Sequence, residues 1–549
     1  MNKHYCILDC YVDEPACFGV PPFVSPYPRY VYGALIDAGI YEDEIVYLTI
    51  DSLRASEYRL PHNFDYVFLI GGAIVPGKYL GFKIGTIPEI TKIIATNKRQ
   101  KFAIGGMIAR LVKDFPNTTL VTGDIEQFAY SVATGNDPVT DNYRTYKDLA
   151  RWAFYGSKLI TLHPQFPNLI CEIETYRGCP RRNHCSFCAE GLLQSVDFRD
   201  EEDILHEIDA LIGQGISRFR IGRQADIIAY KSHLQDYVNG FPRPDPFAVI
   251  NLFSELQKRI TAGHISMLNI DNANPGTIYY FPEESQTIID CIAHTVTPGD
   301  TMPLGVESFD PAVIQKNNLK LHKDQVLQVV QLINDAGGKT INGIHRLLPG
   351  INLIHGLIGE TADTFKINYE SLVEILDKGL LLKRINIRSL FPFPGTIAAQ
   401  KQTHNTMIEN RYRFYRDKIR NEIDHAMITR LFPIGTVIAH MQVLSCVHGY
   451  SYAKEIRSYA ITAKIPVVLP LFSFVDCIVV GHQERSLLCL PYPLAINSLP
   501  QKALEAIPGV GKKGASTIIV HRPFANMNDV KQYLEHVPEI IMKAIAKGF

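Results

Sequence analysis

The sequence predicts an α/β protein of several domains. A doubly wound, Rossmann-like sheet is expected over residues 1–150 and a partial (β/α)6 barrel over 165–400. A helix and a small β-barrel follow over 405–495, and a helix-hairpin-helix over 497–549. Three observations predict this order. Short apolar runs alternate with helical stretches through the first 400 residues. The strand-like runs end repeatedly in glycine or other turn residues. After about 405 the pattern changes to short β-branched runs broken by Gly and Pro, then returns to helix. A chain of 549 residues also exceeds the size at which one hydrophobic core keeps growing.

In the first region the strand-like runs are 5–8, 44–48, 66–70, 101–104 and 119–122, with helices expected over 29–38 and 87–96. Gly71-Gly72, Gly105-Gly106 and Gly123-Asp124 fall where these strands end. In a doubly wound sheet ligands sit over the carboxyl ends of the strands. Each pair alone equally fits a tight strand-to-helix turn; their repetition on one edge favours a ligand.

In the second region strands are expected at 169–172, 218–221, 266–270, 303–306, 340–344 and 384–387. Chemistry in such barrels gathers at the strand carboxyl ends. Directly after the first of these strands comes Arg177-Gly-Cys-Pro-Arg-Arg-Asn-His-Cys-Ser-Phe-Cys188. Cys179, Cys185 and Cys188 are placed to hold three irons of an iron–sulfur cluster and to leave the fourth open. A zinc site normally takes a fourth Cys or His, and His184 sits between the ligands rather than beyond them. A disulfide with one free thiol is disfavoured by the compartment, since eleven mostly dispersed cysteines suit a reducing cytoplasm. Polar runs follow the later strands: Ile221-Gly-Arg-Gln-Ala-Asp226, Asp271-Asn-Ala-Asn-Pro275, Gly305-Val-Glu-Ser308, a long run from Leu348, and Phe393-Pro-Gly-Thr396.

The last region reads as a charged helix over 405–429 and strands near 436–438, 465–469 and 474–480. Then comes Ile507-Pro-Gly-Val-Gly-Lys-Lys-Gly-Ala515, a helix-hairpin-helix signature. Its glycines and helix N-terminus suit a phosphate, and Lys512 and Lys513 suit a nucleic-acid backbone. Docking or packing is the plainer use of both modules. A formal charge of −1 gives no global field, so no nucleic-acid or membrane partner follows from composition. No apolar span of 18 residues is present, and the N-terminus reads as a first strand rather than a signal peptide.

The Arg-Gly-Cys-Pro lead-in, the cysteine triplet and Phe187 before its last cysteine resemble the radical S-adenosylmethionine enzymes. Five residues rather than the commoner three separate the first two cysteines, a minority variant. The resemblance implies a [4Fe-4S] cluster whose open iron takes S-adenosylmethionine, reductive cleavage to a 5′-deoxyadenosyl radical, and an electron donor such as ferredoxin or flavodoxin. It places Arg223, Gln224, Asp271, Glu307 and Ser308 near S-adenosylmethionine. The preceding sheet looks like the cobalamin-binding domain of the cobalamin-dependent branch. That likeness assigns Pro22, Gly71, Gly72, Gly105, Gly106, Asp124 and Glu126 to cobalamin, with no protein His on cobalt. Cys6, Cys10 and Cys17 offer an alternative second cluster, as in methylthiotransferases. Within the branch, Asp9-Cys-Tyr-Val-Asp-Glu-Pro-Ala16 and Asp271-Asn-Ala-Asn-Pro275 look like an archaeal group that includes a methyl-coenzyme M reductase glutamine C-methyltransferase. The expectation is therefore cobalamin-dependent C-methylation of an unactivated carbon, with the reductase alpha subunit as protein substrate. The alternatives are an RNA- or tRNA-modifying methyltransferase or methylthiotransferase, and a non-catalytic docking protein with a structural cluster.

Overall fold

The computed structural model describes residues 4–12, 23–72, 83–401 and 406–549. Pro22 and Cys17 lie outside the described residues. The chain divides into two compact units. The first holds Met1–Thr295, Gly356–Ile358 and Arg388–Gln402; the second holds Val296–His355, Gly359–Ile387 and Thr403–Phe549.

In the first unit, strands β1 (Tyr5–Asp9), β3 (Ile45–Thr49), β4 (Tyr66–Ile70), β5 (Phe102–Gly105) and β6 (Thr118–Leu120) form a sheet in the order β3-β1-β4-β5-β6. The ladders between them are parallel. Counted within this sheet, the order is 2-1-3-4-5, that of flavodoxin-like doubly wound folds, whose ligand crevice opens where the order reverses. The near-continuous burial of β1, β4 and β5 is what a sheet covered on both faces demands. One face packs Cys6, Leu8, Ile90 and Ile104; the other packs Ile7, Phe68 and Val31. Helix α1 (Pro26–Asp37) starts with prolines at its first positions, where missing amides cost nothing. Helix α2 (Ile87–Thr96) is fixed by a capping box between Thr86 and Glu89.

A second sheet in this unit has the order β9-β8-β7-β2, built from β2 (Phe23–Val24), β7 (Ile170–Glu174), β8 (Arg218–Gly222) and β9 (Met267–Ile270). All its ladders are parallel. The expected first three barrel strands are here, with a strand from the N-terminal region added at the edge.

The second unit carries β10 (Asp300–Glu307), β11 (Leu347–His355) and β12 (Arg384–Ser389) in one sheet of that order. The fifth strand corrects the sequence reading. Residues 340–345 form only a two-by-two hairpin, and the run from Leu347, expected as the loop after a strand, is the strand itself. Its Pro349 and Gly350 read as breakers, yet both pair in register with β10, opposite Met302 and Pro303. Burial of the flanking Leu347, Leu348 and Ile351 outweighs the local propensity.

The expected small β-barrel is present. Strands β13 (Val437–Val447), β14 (Tyr450–Lys454), β15 (Thr462–Ile465), β16 (Phe474–His482) and β17 (Ser486–Pro491) close in the order β13-β14-β15-β17-β16. Residues 466–469, expected to continue a strand, lie outside it. Helices Gln501–Ala506, Gly511–His521, Met527–Lys531 and Glu539–Ala546 complete the unit.

Candidate active-site cleft

The carboxyl ends of β5, β7, β8 and β9 border a single open cleft in the first unit, with a free volume of about 320 Å³. Its walls include Gly106, Asp124 and Glu126 from the N-terminal sheet, and Arg223, Gln224 and Asp271 from the loops after β8 and β9. Six residues singled out on two separate grounds therefore share one cavity.

Backbone geometry explains the glycines. Gly106 has φ +81°, and a Cβ there would lie 2.4 Å from the Gly71 carbonyl oxygen. Gly71, Gly72 and Gly105 are buried instead of lining the cleft. Gly72 donates to the Tyr11 carbonyl and Gly71 to that of Gly105, and a Cβ on Gly105 would collide with Ile125. These three shape the strand ends, and Gly106 is the one that reaches the cavity.

Asp124 and Glu126 belong to a buried charge cluster. Arg144 contacts Asp124 at 3.1 Å, Glu126 at 2.7 Å and Glu174 at 2.7 Å; Arg177 contacts Asp124 at 2.8 Å. Three carboxyl groups face two guanidiniums, leaving one negative charge in excess. The titration directions follow. Burial opposes ionisation of Asp124, but Arg144 and Arg177 outweigh it and hold its carboxyl low. Burial pushes Glu126 up to about 7; Arg144 opposes the rise, and the charges of Asp124 and Glu174 add to it. A raised carboxyl favours the folded state fully below the unfolded value of about 4.3, and that contribution is lost as pH rises through the folded value. Stability is therefore expected to decline between pH about 4 and 8, and Glu126→Gln is expected to flatten that limb in denaturation profiles. An unchanged slope in the variant would sink this assignment.

Arg223 takes a left-handed backbone conformation, φ +56°. It donates to the Tyr27 hydroxyl at 3.0 Å and lies 5.2 Å over that ring. Gln224 accepts from Thr175 at 3.2 Å and donates to the Ile221 carbonyl. Asp271 pairs with Arg220. Neighbouring Asp226 ties the two loops together: it accepts from the Asn274 amide at 2.9 Å and the Thr277 hydroxyl at 2.7 Å. Glu307 and Ser308 belong to the second unit. There Glu307 lies 3.5 Å from Lys320, and Ser308 bonds Asn368 and the Asp310 amide.

The cysteine loop begins at Gly178, whose φ is +78° and where a Cβ would lie 2.7 Å from the Ser195 carbonyl oxygen, which excludes a side chain. Cys179, Cys185 and Cys188 stand in no disulfide and are of intermediate exposure. A hairpin of His233–Val238 and Phe241–Arg243 covers the loop. Its Gly240 carbonyl accepts from the Arg182 amide, and Arg182 and Arg181 lie over the Tyr237 and Phe241 rings. From downstream, the Ala398 amide donates to the Ser186 carbonyl at 3.0 Å. Among the described residues no three His, Cys, Asp or Glu side chains are drawn together tightly enough to hold a metal ion. The fit to an iron–sulfur cluster therefore rests on the donor set, three accessible thiols on one loop. Arg181 donates to the Cys185 sulfur at 3.3 Å, the kind of contact that tunes a cluster ligand. Glu190, two residues beyond Cys188, lines the cleft. Cys6 and Cys10 are fully buried in the apolar core of the N-terminal sheet.

Sequence reasoning missed Arg144, Glu174 and Tyr27, which stand in no motif. It used Arg177 only as part of the lead-in to the cysteines and passed over Glu190, although both flank the triplet.

Fold and cleft together define a multidomain α/β protein in which a flavodoxin-like sheet and a cysteine-bearing parallel sheet share one cavity. No protein-family model matches the chain. An uncharacterized protein of Archaeoglobus fulgidus is 36% identical over 527 residues, 95% of each chain. An uncharacterized protein of Methanocaldococcus jannaschii is 37% identical over 506 residues, 88% of this chain and 92% of that one. The chain belongs to the family of these two archaeal proteins. Among solved structures, the radical S-adenosylmethionine methyltransferase TsrM from Kitasatospora setae, with cobalamin and [4Fe-4S] cluster bound, is 14% identical with a TM-score of 0.46, covering 72% of this chain and 77% of that one. The cobalamin-dependent S-adenosylmethionine radical enzyme OxsB, with aqua-cobalamin and S-adenosylmethionine bound, is 13% identical with a TM-score of 0.45, covering 75% and 56%. Among the described residues no helix is long and apolar enough to cross a membrane.

Proposed function

We propose that the chain is a cobalamin-dependent radical S-adenosylmethionine methyltransferase. The observation that carries this reading is the shared cleft: residues suggested for cobalamin (Gly106, Asp124, Glu126) and for S-adenosylmethionine (Arg223, Gln224, Asp271) line one cavity with Glu190 of the cysteine segment. The cleft's free volume, about 320 Å³, falls at the lower end of the roughly 300–1,000 Å³ of small-molecule sites. When bound, the cluster, S-adenosylmethionine and cobalamin supply radical generation and the methyl group. The chain's own part is placement. Cys179, Cys185 and Cys188 hold the cluster at the carboxyl end of β7. Arg223 and Gln224 orient polar groups of S-adenosylmethionine after β8. Asp124, Arg144 and Glu174, which line the cleft as one ion-paired network, would help hold the corrinoid. Such positioning, rather than acid–base chemistry, is what radical transfer to an unactivated carbon requires.

For the acceptor we propose the Cα of a glutamine in the methyl-coenzyme M reductase alpha subunit, with a ferredoxin or flavodoxin as electron donor. Anoxically purified protein is expected to contain iron and bound corrinoid. With reductant and S-adenosylmethionine it is expected to release 5′-deoxyadenosine and methylate a glutamine-bearing reductase peptide. Absence of both metals from anoxic material would sink the methyltransferase reading; methyl uptake by RNA alone would replace the peptide acceptor. The closed C-terminal barrel favours examining that second acceptor.

A further inference from the structure

The C-terminal barrel closes in the order 1-2-3-5-4, with its third and fifth strands parallel. That is the arrangement of the OB-fold, whose binding surface is the outer face of strands 2 and 3 with the loop joining strands 1 and 2. In this chain those strands are β14 and β15. Ser451, Ala453, Ala463 and Ile465 point inward, so Tyr450, Tyr452, Thr462 and Lys464 face outward. Tyr452 stands directly opposite Lys464 in the antiparallel ladder. The Lys464 ammonium lies 4.2 Å from the centre of the Tyr450 ring, and that of Lys502 lies 5.4 Å from it.

Lys502 connects two modules. It belongs to the first helix of the helix-hairpin-helix, and its ammonium is 3.7 Å from where a Cβ on Gly449 would stand, in the turn joining β13 to β14. Across the hairpin, helix Gly511–His521 begins with no acidic residue in its first turn, and Lys512 and Lys513 are exposed there. Residues 497–549 carry seven Lys and Arg against four Asp and Glu, although the whole chain is formally −1. The carboxylate nearest in sequence, Glu455, is buried and engaged by Lys383 and Arg457.

Aromatic rings interleaved with ammonium groups on an OB face form a stacking platform for unpaired bases. Tyr450 and Tyr452 are two positions apart on one strand, about 6.8 Å, enough for two adjacent splayed bases. A duplex offers no base faces to such a platform. We propose that the outer face of β14–β15 and the helix-hairpin-helix form one binding site for single-stranded nucleic acid. Tyr450 and Tyr452 stack bases; Lys464, Lys502, Lys512 and Lys513 neutralise phosphates. The site is independent of the methyl-transfer reading, because binding is measured without cofactors or turnover.

The test is fluorescence anisotropy of the full-length chain with labelled twelve-nucleotide oligouridine, oligothymidine and a duplex RNA, across a salt series. Single strands are expected to bind with affinity that falls as salt rises, and the two single-stranded probes report whether RNA or DNA is preferred. Tyr450→Ala with Tyr452→Ala is expected to weaken binding at least tenfold, while Tyr450→Phe with Tyr452→Phe, which keeps the rings, binds as the parent does. Lys464→Glu with Lys502→Glu is expected to reduce the log–log salt slope by about 1.4, two phosphates at roughly 0.7 each. Failure of both single-stranded probes to bind, tighter binding of duplex, or undiminished binding by the double alanine variant would each overturn the proposal.

Discussion

Replacing Cys185 by alanine is expected to strip iron from anoxically prepared protein and to reduce 5′-deoxyadenosine formation to the level seen without enzyme. A site-differentiated cluster has three protein ligands and none to spare, so removing one leaves two irons without an anchoring thiolate. Cys179→Ala and Cys188→Ala are expected to behave alike. The fold should survive, since all three thiols are partly exposed and such substitutions usually shift stability by under about 1 kcal/mol. Cys171 and Cys291 also stand in no disulfide but lie outside the loop, and Cys291→Ala is expected to keep full iron. Iron content by colorimetric assay and product by chromatography separate the cases. Full iron retained by any one of the three loop variants would remove the foundation of the proposed chemistry.

The second large effect lies in a buried triad. Glu207 is fully buried and contacts Arg29 at 2.7 Å through one oxygen and Arg199 through the other. Arg29 also donates to the Glu172 carbonyl at 2.6 Å, so helix α1 is fastened to the strand that leads into the cysteine loop. Glu207→Ala leaves two guanidiniums confined without a counter-charge, and breaking such a contact costs about 3–5 kcal/mol. A triple replacement by methionine is expected to recover much of that loss, because the desolvation penalty disappears with the charges. Burial opposes ionisation of Glu207, but Arg199 and Arg29 outweigh it and lower its pKa. Its stabilising contribution is therefore present above the unfolded value of about 4.3 and is lost as pH falls. The gap between parent and Glu207→Ala is expected to narrow in acid. Denaturant midpoints of the first unfolding transition measure both effects, and a gap below about 1 kcal/mol at neutral pH would sink the assignment.

Much of this architecture was legible from residue patterning. Tyr66–Ile70 and Ile87–Thr96 fall where apolar runs and caps put them, because period and end signals are local properties. The cysteine triplet was legible for the same reason: its meaning lies in spacing. Arg144 and Glu174 were not, since their value comes from a meeting of positions 30 apart in sequence that no periodicity announces. The fifth strand of the expected barrel was misplaced because Pro349 and Gly350 are breakers by propensity but tolerable in a long buried ladder. Lys502 became informative only through its position beside Tyr450; in the sequence it is one lysine among many.

The hydrogen bond from Ala398 to the Ser186 carbonyl bears on how the protein is made. The thiols leave the ribosome long before the segment that braces them has been synthesised. Under the proposed chemistry, a cluster built before residue 398 has been synthesised would sit on a loop that lacks this brace.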